Sequence, residues 1–397
     1  MAGVAVAVWV TPSYPQAVAG PTLEVGGYLR SISGVQDLGY DSPLAERRFA
    51  FNGEVFRLKW TATLSEHVRL TAHNRVQLQL SSTPQMFGSG IAGFGVSVVP
   101  GRTVSLETTL LEEERFRVWH DLDRVAIDVY TGAVDLTFGR QAVSWGISTL
   151  FPIADLWAQF SPFELDTEER RGIDAARALV YPVQGLELDV VLADRGTLRD
   201  LSGGARATVD LPWADVYVAA GKFWRQVIGL AGLSAVTGNW KLRGEVALPW
   251  EIDAAEVRPI RATVGADRLG AKFLLSIEYH HNGLGATDAS DYVATLQSAQ
   301  LQRGETYFVG RHYLGALGSY QPGVRLALSV SALGNLQDPS VAFFPAASYD
   351  MGQSTRLSLG ALLGAGEAPL LFPPDPELRS EFGAYGRLGY VTVSVYF

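Results

Sequence analysis

Cysteine is absent from this 397-residue chain, which excludes disulfides, thiol nucleophiles and thiolate metal sites. Long apolar runs are missing as well. Hydrophobic residues make up 47% of the chain, yet no uninterrupted stretch approaches the ~20 residues of a transmembrane helix. Lysine occurs only at Lys59, Lys222, Lys241 and Lys272, so every other member of the 32 basic residues is arginine. A GC-rich genome or an arginine-lined pore would each produce that bias. The net charge of −9 argues against a general nucleic-acid partner. The six histidines are scattered. His280-His281 point to opposite faces of a strand, so no metal site is expected. Neither G-x-S-x-G nor a P-loop is present, and no catalytic residue or cofactor is expected. No repeat of fixed period suggests a propeller or solenoid.

What remains is alternation. Val391, Val393, Val395 and Phe397 fall on one face of the last strand, and Thr392, Ser394 and Tyr396 on the other. Period two with one apolar face defines a β-strand. Phe56, Leu58, Trp60, Ala62 and Leu64 likewise oppose Arg57, Lys59, Thr61 and Thr63. A tight Ser65-Glu66 connection leads into Val68, Leu70, Ala72 and Val76, opposed by Arg69, Thr71, His73 and Arg75. These strands exceed the ~5–6 residues usual in globular proteins and suit the ~9–11 of a membrane-spanning strand.

The pattern recurs along the chain, with Arg206, Lys241, Arg243, Arg261, Arg325 and Arg356 in mid-strand polar positions. Trp145, Tyr181, Trp213, Trp250, Tyr279, Tyr320 and Tyr349 recur near strand ends, as two interfacial girdles require. The expectation is all-β: a transmembrane antiparallel β-barrel of roughly 16–18 strands, wide enough to hold water. Arg57, Lys59, Arg69, Arg75, Arg206, Lys241, Arg243, Arg261, Arg325 and Arg356 would face its lumen. Residues 20–397 would form this single barrel. Residues 1–19 read as a signal peptide, with an apolar Val4–Val10 stretch and an Ala17-Val18-Ala19 site. No Lys or Arg precedes Arg30, as in a leader whose start has been placed too far downstream. A short loop helix is expected over Asp288–Gln302.

One long segment breaks the alternation. A strand ends at Trp145-Gly146, and residues 146–172 carry no strand pattern. Their aromatic content argues against disorder, and a loop this long is usually functional. Folded inward, it would narrow the pore; folded outward, it would cap the barrel. Arg140, Asp155, Glu164, Asp166, Glu168, Glu169, Arg170, Arg171, Asp174 and Arg177 are the candidate pore and constriction residues. Arg140 falls in phase with Val134, Leu136 and Phe138, so a bulge at Gly139 would be needed to turn it inward.

The order Gly139-Arg140-Gln141, Trp145-Gly146, Pro152, Asp155 and the charged run from Glu168 to Asp174 resembles alginate-export-type porins and related uncharacterised porin-like families. That resemblance implies passive diffusion of small polar or anionic solutes through a monomeric outer-membrane barrel. The terminal strand, ending on Phe397, resembles the C-terminal strand of Gram-negative outer-membrane proteins. This implies outer-membrane lipid and the barrel-assembly machinery as partners. A barrel enzyme acting on lipid and a structural or adhesive barrel with a filled lumen are the alternatives to a porin.

Overall fold

The computed structural model describes residues 20–43, 46–83, 101–372 and 376–397. The expected signal segment, residues 1–19, lies outside the described residues. The first strands are β1 (Thr22–Asp37), β2 (Arg48–Ser65), β3 (Val68–Ser81), β4 (Glu107–Glu113), β5 (Phe116–Tyr130), β6 (Val134–Gln141) and β7 (Ile173–Val183). Next come β8 (Leu186–Ala193), β9 (Ser202–Leu211), β10 (Ala214–Phe223), β11 (Gln226–Thr237), β12 (Trp240–Glu251) and β13 (Glu256–Val257). The chain then runs through β14 (Arg261–Leu269), β15 (Phe273–Asn282), β16 (His312–Tyr320) and β17 (Leu326–Asn335). It ends in β18 (Ser340–Asp350), β19 (Thr355–Ala365) and β20 (Arg387–Tyr396).

Eighteen of these strands pair antiparallel with their sequence neighbours into a closed barrel. β1 meets β20 with Arg30 opposite Ser394, which seals the cylinder and leaves no open edge. The two extra strands complete the wall. β4 pairs with β5 beyond the end of β6, and β13 pairs with β12 beyond the end of β14.

Alternation decides which residue faces which solvent. Val391, Val393 and Val395 are exposed on the outer wall, while Ser394 is buried inside. On β15, Phe273, Leu275 and Ile277 are exposed outward, and Ser276, Glu278 and His280 are buried. A continuous apolar outer face is stable only against lipid. Aromatic residues edge it. Trp213, Trp240, Phe273, Tyr320 and Tyr349 lie toward the end with tight turns. Trp250, Tyr279 and Phe343 lie toward the end with long loops. From Trp240 to Trp250 a strand climbs about 33 Å, which a tilt of ~40° reduces to roughly 25 Å, the height of an outer-membrane apolar band.

Trp145 departs from the expected girdle. It is fully buried inside the barrel, where its indole N–H donates to Asp189 at 2.8 Å and its ring meets Trp157 edge-on. Alternation could not place it, because Trp145 follows the end of β6 and is no longer governed by the strand period. The expected loop helix is a 3-10 turn at Ala289–Asp291 followed by two short helices, Tyr292–Leu296 and Ala299–Gln302. Asp288 accepts from the Ser290 N–H as its cap.

Candidate functional site

Residues 142–172, between β6 and β7, fold into the barrel. Their aromatic and aliphatic side chains pack on its inner wall in two places. Trp145, Ile153, Leu156 and Trp157 join Tyr217, Phe223, Ile228 and Leu230 in an apolar cluster against β10 and β11. Phe151 and Phe163 join Tyr313, Phe344, Phe382 and Leu388 in a second cluster against β16, β18 and β20. Phe163 stacks on Tyr385 with ring centroids 4.3 Å apart.

Between these clusters the loop backbone is fastened by wall carboxylates. Glu245 accepts the N–H groups of Ile147 and Ser148 at 2.9 and 3.3 Å, and the Tyr217 hydroxyl at 2.8 Å. Glu278 accepts the N–H groups of Thr149, Leu150 and Phe151 at 2.7, 2.8 and 3.1 Å. It also receives Arg243 at 2.7 Å. The Thr263 hydroxyl donates to the Phe151 carbonyl. Loop N–H groups without strand partners must be paired somewhere, and here the wall pairs them. The alternation of β12 and β15 places both glutamates on the inner face; their contact with the loop could not be read from spacing.

The charged half of the loop lies against β1, β2 and β3. Arg30 donates to Asp166 and Glu168, each at 2.5 Å, and to Ser394 at 2.9 Å. Lys59 pairs with Glu169, and Arg75 approaches Asp166 at 3.6 Å. Arg124 donates to the Arg170 carbonyl, and Arg102 to that of Gly172. Glu168, Glu169 and Arg170 keep part of their side chains accessible, as do Lys59, Arg177 and Arg206 on the wall. Arg171 lies half-buried near Arg75, with no ion pair among the described residues. The mixed-charge accessible surface is therefore formed by the end of the loop and the β1–β3 and β7–β9 walls.

Other candidate residues are held in structural roles. Asp155 is buried. It accepts Ser144 Oγ and the N–H groups of Trp145 and Gly146 at 2.7–2.8 Å, and it pairs with Arg170 at 2.8 Å, cinching the start of the loop to its end. Glu164 sits in a turn, its N–H donating to Ser161. Arg140 is buried, and it reaches Asp174 at 2.6 Å without a register skip between β5 and β6. The alternation breaks by torsion at Gly139, whose φ of +113° a side chain rarely adopts. The Arg140 guanidinium donates to the carbonyls of Leu122 and Val104, both at 2.9 Å. It thus bridges the gap in the wall where β6 has ended and β4 has not begun. Arg177 pairs with Asp189 at 2.8 Å.

The expected lumen residues divide similarly. Arg57 is buried in a bidentate pair with Asp123, Arg243 with Asp267, and Arg261 pairs with Glu305. Arg69 lies over Tyr130, Lys241 opens β12, and Arg356 pairs with Asp350, all toward the short-turn end. Arg325 lies in the turn before β17, outside the strand expected for it. Sequence reasoning missed Arg30 and Arg102. Arg30 was legible from its phase with the outward Leu29; Arg102 lies in a loop, where phase gives no guide. Among the described residues no group of three or more His, Asp or Glu side chains could hold a metal.

An 18-strand closed antiparallel barrel whose inward loop crosses the lumen is the fold of outer-membrane porins. Solved structures with this fold include Acinetobacter baumannii OccAB4, with 8% identity, a TM-score of 0.59 and coverage of 96% of this chain and 99% of that one. Pseudomonas aeruginosa OpdL aligns at 13% identity and a TM-score of 0.55, covering 94% and 98%. The P. aeruginosa outer membrane protein opdK aligns at 10% identity and 0.54, covering 95% and 98%. No family model matches the chain, and no curated protein matches it significantly in sequence. The neighbours are Occ and Opd porins, so the resemblance drawn from Gly139 to Asp174 reaches porin-like architecture and not the alginate-export type.

Proposed function

We propose that the chain is a Gram-negative outer-membrane porin, through which small polar or charged solutes diffuse passively. The observation that carries this reading is the inward loop. Its acidic end meets wall arginines and leaves charges of both signs accessible inside a barrel. Fixed opposite charges at a narrowing order water and select solutes by charge and shape. The long loops would face outward and the tight turns the periplasm, as in bacterial barrels generally. The strand ending on Phe397 would be the segment that the barrel-assembly machinery reads.

One observation favours a second reading, a barrel with a filled lumen: the two apolar clusters occupy inner wall on β10 and β11 and again from β16 to β20. Planar-bilayer recording of the refolded protein separates the two. A porin gives discrete conductance steps with defined ion selectivity; a filled barrel inserts without steps.

A further inference from the structure

On the outer wall, where the apolar band gives way to the long-loop end, a cluster of nitrogen-bearing side chains has no use in the lumen. His281 on β15 lies opposite His312 on β16 in the ladder, with ring centroids 5.0 Å apart. Both point outward. His281 shares its face with the exposed Ile277 and Leu275, and His312 shares its face with the exposed Leu314, while their neighbours His280 and Tyr313 are buried inside. Tyr279, one step closer to the bilayer centre, places its hydroxyl 2.7 Å from His312 Nδ1. Arg311 precedes His312 and reaches only the Gly285 carbonyl, at 3.2–3.3 Å.

The charged groups that act on His281 are His312 and Arg311, both basic. Among the described residues neither Arg311 nor the two histidines has a carboxylate within ion-pair distance. Elsewhere on the long-loop end, Arg258 pairs with Glu256, Arg225 with Asp253 and Arg48 with Asp37. A guanidinium beside two imidazoles, with no counter-charge, is an arrangement that an anion completes. The tyrosine below it marks headgroup level, where basic side chains meet lipid phosphates.

We propose that His281, His312, Arg311 and Tyr279 form a docking site for the phosphomonoester headgroup of a lipid whose acyl chains lie along the Leu275–Ile277 face. The inference rests on the membrane reading above. The headgroup oxygens would accept from Arg311 and the imidazoles, and the Tyr279 ring would flank the first carbons of the chain.

The test uses the full chain refolded in nanodiscs of phosphatidylcholine doped with phosphatidic acid. Retained lipid is counted by native mass spectrometry. The wild type should retain phosphatidic acid preferentially over diacylglycerol. A His281→Gln/Arg311→Gln variant should bind it at least roughly fivefold more weakly, the loss expected from the Arg311 charge alone, and Arg311→Lys should restore part of the loss. Arg258→Gln, at the same end but outside the cluster, should bind like wild type. Single-channel conductance checks folding and should be unchanged in all variants. Equal retention by wild type and the double variant overturns the site. Equal retention of phosphatidic acid and diacylglycerol overturns the headgroup. Displacement by millimolar inorganic phosphate reassigns the site to a free anion and overturns the lipid. Absent conductance in every protein counts against the porin reading instead.

Discussion

A carboxylate buried without donors is costly, and a buried carboxylate with a full set of donors holds whatever supplies them. Glu278 has four donors, three of them consecutive loop N–H groups. Glu278→Gln would turn an amide NH2 toward at least one of those N–H groups and leave Asp267 as the only carboxylate paired with Arg243 among the described residues, a loss of about 2–4 kcal/mol. The expected outcome is an intact, heat-modifiable barrel with noisier open-channel current and weaker ion selectivity; unchanged current noise would show that Glu278 does not hold the loop.

Glu381, in the loop after β19, gives a pH-dependent counterpart. It accepts the Val309 N–H, the Tyr313 hydroxyl and Asn335 Nδ2, tying its own loop to the loop before β16 and to the strands β16 and β17. Burial pushes its carboxyl up to about 8. A folded-state value above the unfolded one means that Glu381 stabilises the loops fully below the unfolded value of about 4.3, and that this stabilisation is lost as pH rises through about 8. Limited proteolysis within residues 366–386 should therefore accelerate between pH 5 and 9, and Glu381→Gln should flatten the dependence. These contacts were not legible in the sequence. Glu245 and Glu278 announce only a face, and Asp155, Arg140 and Trp145 lie where the strand period has stopped and tertiary contacts decide orientation.

At the scale of the strand, far more could be read, because a period of two leaves each residue only two directions. The assignment of Val391, Val393 and Val395 to one wall and Ser394 to the other needed nothing beyond alternation. Placing Arg at position 393 puts a charge in hydrocarbon, at a cost of roughly 2–4 kcal/mol, whereas position 392 faces the interior. Val393→Arg should lower the yield of assembled, heat-modifiable barrel well below that of Thr392→Arg. Equal yields would contradict the register of β20. The strand pattern failed at its interruptions. Register shifts between His73 and Asn74 where β3 meets β5, and the glycine torsion at Gly139 redirects Arg140. Each shows in the sequence only as a polar residue in an apolar phase, Asn74 after Ala72 and Arg140 after Phe138, which marks the interruption without giving its geometry.

For the whole barrel, the inward loop divides the interior into unlike halves. One half is packed with aromatic side chains and the other is laced with ion pairs. The number of strands and the existence of the loop were legible from length and alternation; the side of the lumen on which the loop rests was not, because that depends on which walls offer apolar surface. Deleting Ile153–Thr167 removes Trp157 and Phe163, one of the loop's two aromatic members in each cluster, while leaving every strand intact. Single-channel conductance should then rise and selectivity weaken. Conductance left as it was would remove the loop from the ion path.

Arg30 holds two things at once. It grips Ser394 across the joint where the chain's first and last strands meet, and it grips Asp166 and Glu168 near the end of the loop. Withdrawal of the loop would strand an uncompensated cation at the joint between β1 and β20. The inward loop is thus mechanically tied to the clasp that keeps the tube shut, and a loop that swung freely would work against its own hinge post.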